Sequence, residues 1–216
     1  MLYLRQGGKG AVSLRAENFF TVLGANIRMN YKNTLIPSIL LLLVIPLIYG
    51  TANLDDIKSA DCLERMVALV GIPMFTSLFY REQSRDAYSM IALRPFPFRA
   101  VAALRIGMET AVTFGLVIVF EVYMCACGSV FAVGTYAVRT LAACMALGFA
   151  GLLCATAVKN TVAGYLGAFS FYYFVAQTGA GASVFRPVTN GIHPLLLIFL
   201  CGAWAAIILF CKPAYR

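Results

Sequence analysis

Charged residues are scarce in this sequence, which excludes an ordinary soluble domain. Of 216 residues, 12% are Asp, Glu, Lys or Arg and 61% are hydrophobic, and the mean hydropathy is +0.83. Soluble domains carry about a quarter charged residues. The composition therefore places the chain in a lipid bilayer, and we predict an all-α membrane protein.

The sequence also lacks a nucleotide-binding loop. Its Gly-rich start, Gly7-Gly8-Lys9-Gly10, has neither the spaced first glycine nor the Ser or Thr after the lysine that a phosphate-binding loop needs. We therefore predict that this chain does not hydrolyse ATP. If ATP drives its function, the ATPase is a separate polypeptide.

Catalytic and metal-binding patterns are missing as well. The single histidine, His193, and Ser183 fall in one short loop, whereas a nucleophile and its base are expected on separate elements. The seven cysteines form no Cys-x-x-Cys pair, and no further ligand lies near Cys125 and Cys127. Basic residues and aromatics do not interleave as on a nucleic-acid surface. We predict no catalytic residue, no bound metal or cofactor and no nucleic-acid partner.

Six apolar stretches give the chain its predicted organisation. We predict a cytoplasmic N-terminus over residues 1–33 and a six-span transmembrane domain over residues 34–216. A membrane-spanning helix needs about 20 apolar residues, so the first two stretches are short and are expected to borrow length from their flanks. The predicted spans are 34–49, 66–80, 106–127, 135–158, 161–177 and 194–211. Lys159 and Asn160 alone join the fourth span to the fifth.

Two further segments have irregular patterns. Apolar residues recur every three or four positions over 16–32, which predicts an amphipathic helix in the membrane interface, although an extension of the first span is the alternative. Residues 178–194 are Gly-rich but contain apolar positions, broken at Pro187 and Gly191. Either two short re-entrant pieces or a simple outer loop fits this segment.

The basic residues predict the orientation. Cytoplasmic loops carry an excess of Lys and Arg. With the N-terminus inside, 13 of the 17 Lys and Arg residues lie on the cytoplasmic side, and the first outer loop is acidic. We therefore predict that both termini are cytoplasmic.

Ionisable and small residues within the spans are candidate functional positions. Glu109 is expected to make an ion pair at the membrane interface, and Glu121 lies about 18 Å further along its helix. Glu121 either pairs with Arg139 on the next span or lines a polar pathway. In the fifth span, Gly164 permits close approach of another helix. Phe171 and Tyr172 belong to an aromatic cluster that is either an interfacial belt or a wall for an amphipathic substrate.

The central polar segment, residues 79–105, stands between two apolar spans. It carries five arginines against Glu82 and Asp86. Its middle has apolar residues at roughly helical spacing, and Pro95 and Pro97 end that pattern. The pattern predicts a short surface helix that contacts a cytoplasmic partner, and a solvated basic loop that only sets orientation is the alternative.

This segment resembles the loop between the second and third spans of ABC-2-type transporter permeases. In that family a Glu follows the second span and a Leu-rich short helix leads to a Pro; Glu82 and Pro95 have the matching spacing, with Met90, Ile91 and Leu93 as the apolar filling. Ser84 and Asp86 depart from the family's usual acidic residue and glycine. The resemblance implies a coupling helix that docks into an ATPase subunit. The implied contact residues are Glu82, Arg85, Asp86, Tyr88, Met90, Ile91, Leu93, Arg94, Pro95 and Phe96.

The resemblance further implies an exporter subunit in a bacterial cell membrane. Its expected partners are two copies of a cytoplasmic ATPase that binds ATP and Mg, a second copy of itself or a sister permease, and membrane lipids. The implied cargo is an amphipathic substrate, with a peptide toxin or bacteriocin favoured and a drug or lipid as alternatives. An ATP-independent secondary carrier or an integral-membrane lipid enzyme is the alternative function.

Overall fold

The computed structural model describes residues 34–52, 54–78, 98–129 and 131–177. All regular secondary structure in these ranges is helical, with no strand, which confirms the all-α prediction. The elements are α1 (Thr34–Tyr49), α2 (Asp56–Asp61), a π-helical turn (Cys62–Met66), a 3-10 turn (Val67–Val70), α3 (Gly71–Thr76), α4 (Phe98–Ala126), α5 (Val133–Val158) and α6 (Thr161–Gln177).

Several predicted elements lie outside the described residues. They are the N-terminal amphipathic helix at 16–32, the coupling helix within 79–97, the segment at 178–194 and the last predicted span at 194–211. The division at residue 33 and the count of six spans stay predictions.

Two of the helices that the structure describes are long and apolar enough to cross a membrane. They are the 24 residues Ala103–Ala126 within α4 and the 26 residues Val133–Val158 of α5. At about 1.5 Å per residue each exceeds the roughly 30 Å of a hydrocarbon core. The helix Thr34–Tyr49 is apolar but shorter.

The start of α4 corrects the predicted boundary of the third span. The sequence predicts polar loop up to residue 105, whereas α4 begins at Phe98. Arg99 and Arg105 made this stretch resemble a loop, but arginine is a good helix former and does not end a helix. The membrane helix therefore extends into the central polar segment and starts directly after Pro97.

The second predicted span differs from an ordinary helix. Helical backbone starts at Asp56, passes through the π and 3-10 turns and ends as α3 at Thr76. Pro73 cannot donate a backbone hydrogen bond and its ring crowds the carbonyl four residues earlier, so regular α-helix is disfavoured just before it. The Cys144 thiol of α5 lies 3.5 Å from the Val67 carbonyl oxygen and offers it a hydrogen bond.

The helix α5 is the centre of the described fold. It packs against α3, α4, α6 and both irregular turns. The predicted tight turn between α5 and α6 is confirmed, because Lys159 adopts a left-handed conformation (φ 58°) and the Asn160 side chain accepts a hydrogen bond of 2.9 Å from the Val162 N–H. This turn folds α6 back along α5.

Glycines set the distance between α5 and its neighbours α3 and α6. A Cβ atom added at Gly148 would lie 2.6 Å from the Gly71 carbonyl oxygen, and one added at Gly164 would lie 2.6 Å from the Ala155 Cβ. A Cβ at Gly71 would overlap the backbone of Cys144. The small residues predicted to permit close helix approach are therefore used within this chain.

The far end of α4 is fastened to the loop that follows α1. The Ser129 hydroxyl donates a hydrogen bond of 3.0 Å to the Thr51 carbonyl and accepts one of 3.3 Å from the Leu54 N–H. Ser129 is itself buried. These two bonds hold the turn between α4 and α5 in place.

Large apolar side chains cover much of the exposed surface of α1 and α6. On α1, Leu43, Leu47 and Ile48 are exposed, and on α6, Leu166 and Phe169 are exposed. A water-soluble protein rarely exposes contiguous apolar surface of this kind, whereas lipid tails are a suitable neighbour for it.

Candidate functional site

The ten residues predicted to contact an ATPase lie outside the described residues. The structure therefore places none of them, and they stay predictions. The five remaining candidates, Glu121, Arg139, Gly164, Phe171 and Tyr172, all lie on α4, α5 or α6.

Glu121 is buried in an apolar environment on α4. Its side chain is 0% exposed, and its helical neighbours Val117, Phe120 and Met124 are buried as well. These three belong to a large cluster, defined as Ile45, Cys62, Leu63, Val67, Val117, Phe120, Met124, Tyr136, Ala137 and Cys144. The large cluster joins residues of α1, α4, α5 and the two irregular turns, so Glu121 lies where these elements meet.

Both carboxyl oxygens of Glu121 lack a hydrogen-bond partner among the described residues. An ionised carboxylate without a partner is very costly to bury, so such a group is expected to be neutral or to bind a positive charge. Among the buried carboxyl side chains of the described residues, Glu121 is the one with both oxygens unsatisfied.

The predicted ion pair between Glu121 and Arg139 is wrong. The Arg139 Nη1 atom lies 4.0 Å from the Glu64 Oε1 atom instead, and the guanidinium carbon lies 5.6 Å from the centre of the Tyr136 ring. At 4.0 Å the Glu64 contact is electrostatic and too long for a hydrogen bond. On a helical wheel Arg139 lies about 100° around α5 from Thr140, and Thr140 is fully buried.

Thr140 of α5 is a second buried polar side chain without a partner. Its side chain is 0% exposed and its hydroxyl oxygen has no partner among the described residues. Thr140 lies between Ala137 and Cys144 on one stripe of α5, and both of these belong to the large cluster. The helices α4 and α5 thus each carry one unpartnered, fully buried polar side chain among residues of the large cluster.

Glu64 is a functional candidate that the sequence prediction missed. The sequence predicts it in the acidic outer loop, whereas it is 3% exposed and lies within the π-helical turn. Its neighbour Leu63 is fully buried in the large cluster. The apolar pairs on either side of Glu64-Arg65 were the available signal, because they indicate that the buried segment starts before Met66.

Glu109 is buried on α4, twelve residues before Glu121. It is 5% exposed, and its backbone carbonyl accepts a hydrogen bond of 2.7 Å from the Thr113 hydroxyl. Twelve residues separate it from Glu121, or about 18 Å along α4. The two acids therefore belong to different layers of the fold.

The aromatic residues of α6 divide into two groups. Phe171 and Tyr172 are half-buried and pack against a cluster of Ala68, Ile72, Ala143, Leu147 and Ala168. Phe169, Tyr173 and Phe174 are exposed. Phe171 and Tyr172 thus support the packing of α6 on α5, and the exposed group is the one available to lipid or to a substrate.

No group of three or more His, Cys, Asp or Glu side chains in the described ranges is arranged to hold a metal ion. Comparisons with protein-family models, curated proteins and solved structures give no match to this chain. The case for a function therefore depends on the central-segment motif and on the geometry of α4 and α5.

Proposed function

We propose that this chain is the membrane-spanning permease subunit of an ABC-2-type exporter. A separate cytoplasmic ATPase, present in two copies and binding ATP and Mg, docks on the central segment. The permease works with a second copy of itself or with a sister subunit. The expected cargo is an amphipathic molecule, with a peptide favoured over a drug or a lipid.

The observation that carries this proposal is the continuity of α4. The helix begins at Phe98, directly after the segment that resembles a coupling helix, and runs for 29 residues to Ala126. That length is about 43 Å, which exceeds the hydrocarbon core. A displacement of residues 79–97 by the ATPase would therefore pass to one stiff helix that crosses the membrane.

The packing around α4 supports a tilting movement. A Cβ atom added at Gly107 or Gly115 of α4 would meet nothing within 4 Å, whereas one added at Gly71 of α3, Gly148 of α5 or Gly164 of α6 would lie less than 3 Å from a neighbouring atom. Ser129 fastens the far end of α4 by two hydrogen bonds. A push at Phe98 would thus tilt α4 about Ser129, against a rigid unit formed by α3, α5 and α6.

The six-span topology belongs to the proposal. Both termini are placed in the cytoplasm of a bacterial cell, and the chain passes through the membrane six times. The arginines of the central segment then face the cytoplasm, where the ATPase binds.

Copurification tests the proposal. Ile91→Asp and Leu93→Asp should abolish retention of the ATPase, because each introduces a charge into the apolar docking face, while membrane insertion is unchanged. Ser89→Asp is the matched control, since it adds the same charge at a polar position of the same segment. Retention of the ATPase by all three variants would refute docking through this segment.

A cation-coupled secondary carrier is the second candidate function. Carriers place ion-coupling acids beside interrupted helices near the middle of the membrane. Glu121 is a buried acid, and the large cluster around it includes residues of the π and 3-10 turns. Transport driven by an ion gradient in vesicles that contain only this chain would favour the carrier, and transport that requires the ATPase and ATP would favour the exporter.

A further inference from the structure

The buried layer between α4 and α5 contains polar atoms that the proposed export cycle does not use. They are the two carboxyl oxygens of Glu121 and the hydroxyl oxygen of Thr140, all without partners among the described residues. Both side chains are 0% exposed. A buried polar group normally has a partner, so this layer indicates a ligand that completes it.

The size of the donor set restricts the ligand. Calcium takes six to eight oxygen ligands and magnesium six, whereas Glu121 and Thr140 offer three oxygen atoms. Among the described residues no cluster of acidic, His or Cys side chains adds to them. A proton is the positive charge that needs only one carboxyl oxygen.

We propose that Glu121 is a proton-binding site within the membrane and that it alternates between two states. In the packed state seen here it holds the proton as a neutral carboxylic acid between α4 and α5. When α4 tilts away and water enters, the carboxyl O–H bond breaks and the proton passes to water. The carboxylate must take up one proton before the helices pack again.

The surroundings of Glu121 favour this cycle. The titratable and charged groups on α1, the π-helical turn, α4 and α5 whose side chains are described are Tyr49, Cys62, Glu64, Arg65, Arg105, Glu109, Tyr123, Cys125, Tyr136, Arg139, Cys144 and Cys154. None of them donates a hydrogen bond to the Glu121 carboxyl. Arg139 contacts Glu64 and Arg65 contacts Asp61, so these two cations are engaged with other carboxylates and Glu121 is left to bind a proton.

The proposal predicts a direction for the effect of pH. The neutral acid belongs to the packed state, so raising the pH should loosen the α4–α5 contact. Glu121→Gln keeps the shape and stays neutral, and should therefore remain packed at every pH. Glu121→Asp keeps the proton-binding group and should restore the pH dependence.

Carbodiimide labelling of the full chain in liposomes tests this inference without any ATPase. Dicyclohexylcarbodiimide reacts with protonated carboxyls in apolar surroundings, so peptide mass spectrometry should find Glu121 labelled at least tenfold more than the exposed Asp56 at pH 7. Labelling of Glu121 no greater than that of Asp56 would overturn the proposal. Protection by sodium at constant pH and ionic strength would overturn it in favour of a metal-ion site.

Thermal unfolding of the same preparations gives an independent measurement. Between pH 6 and pH 9 the unfolding temperature of the wild-type chain should fall by about 3 °C more than that of Glu121→Gln. A shift of this size is expected when a chain of this length loses the stability that depends on one bound proton. Equal pH dependence of the two proteins would overturn the proposal. Because no ATPase is present, failure of ATPase docking and failure of proton binding are separate results.

Discussion

The two faces of α5 are built in opposite ways. Toward α3 and α6 it presents glycines and alanines. A Cβ atom added at Gly148 of α5, or at Gly164 on the facing surface of α6, would lie 2.6 Å from a neighbouring atom. Toward α4 and the two irregular turns it contributes Tyr136, Ala137 and Cys144 to the large cluster, and the Glu121 carboxyl of α4 has no partner among the described residues. Helices in lipid associate through van der Waals fit, so the first face favours a fixed contact. On our proposal, the proton held by Glu121 completes the second face.

The largest effect is expected for Gly164→Leu. Its side chain would have to enter the space held by Ala155 and Gly151 of α5, so α6 should detach and the chain should fail to fold or lose most of its thermal stability. Gly107→Leu is the matched control, because a Cβ at Gly107 meets nothing within 4 Å. Unfolding in detergent, followed by tryptophan fluorescence and circular dichroism, measures both. Equal stability of the two variants would contradict the close packing of α5 and α6.

Smaller changes on the same face should still be costly. Gly148→Ala is expected to lower the free energy of unfolding by about 1–3 kcal/mol, the usual cost of overpacking. Gly71→Ala should cost more, since the overlapping atoms are Cys144 backbone and cannot rotate away. Gly115→Ala on α4 should be neutral or slightly stabilising, because Ala is the better helix former by up to about 1 kcal/mol. Destabilisation by Gly115→Ala equal to that by Gly148→Ala would remove the difference between the two faces.

The aromatic residues of α6 distinguish packing from substrate contact. Phe171→Ala should lower the free energy of unfolding by about 1–3 kcal/mol, which is below the value for a fully buried Phe because Phe171 is only half-buried. Phe169→Ala, on the exposed side of α6, should leave stability nearly unchanged. If the exposed aromatics meet the cargo, Phe169→Ala should instead reduce peptide-stimulated ATP hydrolysis in the assembled complex. If Phe169→Ala lowered stability and Phe171→Ala reduced only the stimulated ATP hydrolysis, Phe169 would be the packing residue and Phe171 the substrate contact.

The smallest effect is expected at the Glu64–Arg139 contact. A 4.0 Å separation with Arg139 partly exposed makes a weak pair, of about 1 kcal/mol or less. A double-mutant cycle of Glu64→Gln with Arg139→Gln should show coupling, whereas a cycle of Glu121→Gln with Arg139→Gln should be additive. Coupling between Glu121 and Arg139, without coupling between Glu64 and Arg139, would show that Glu121 and Arg139 form the predicted ion pair.

The sequence predicted the packing of α5 against α6 well. The turn at Lys159 and Asn160 and the bounds of α6 follow from apolar run lengths, and the small residues marked the close contacts. The face of α5 that carries Arg139 was not predictable, because a uniformly apolar helix gives no periodicity from which to assign a face.

The start of the second span could not be read from composition. Glu64 and Arg65 resemble loop residues, yet Glu64 is buried because the π-helical turn redirects it toward α5. Such a turn depends on tertiary packing, here on Cys144 beside the Val67 carbonyl and on Pro73 downstream. Likewise, the unpartnered state of Glu121 depends on which face of α5 carries Arg139, and this is known only from the packed helices.

Spin-label distances test most directly whether α4 moves against a rigid α3–α5–α6 unit. In a cysteine-free background, one pair of labels at Ala103 and Val158 reports the contact of α4 with α5, and a second pair at Val138 and Phe174 reports α5 with α6. Adding ATP to the complex with its ATPase should shift the first distance by several ångströms and leave the second unchanged. Equal shifts in both pairs, or a shift confined to the second, would contradict the account.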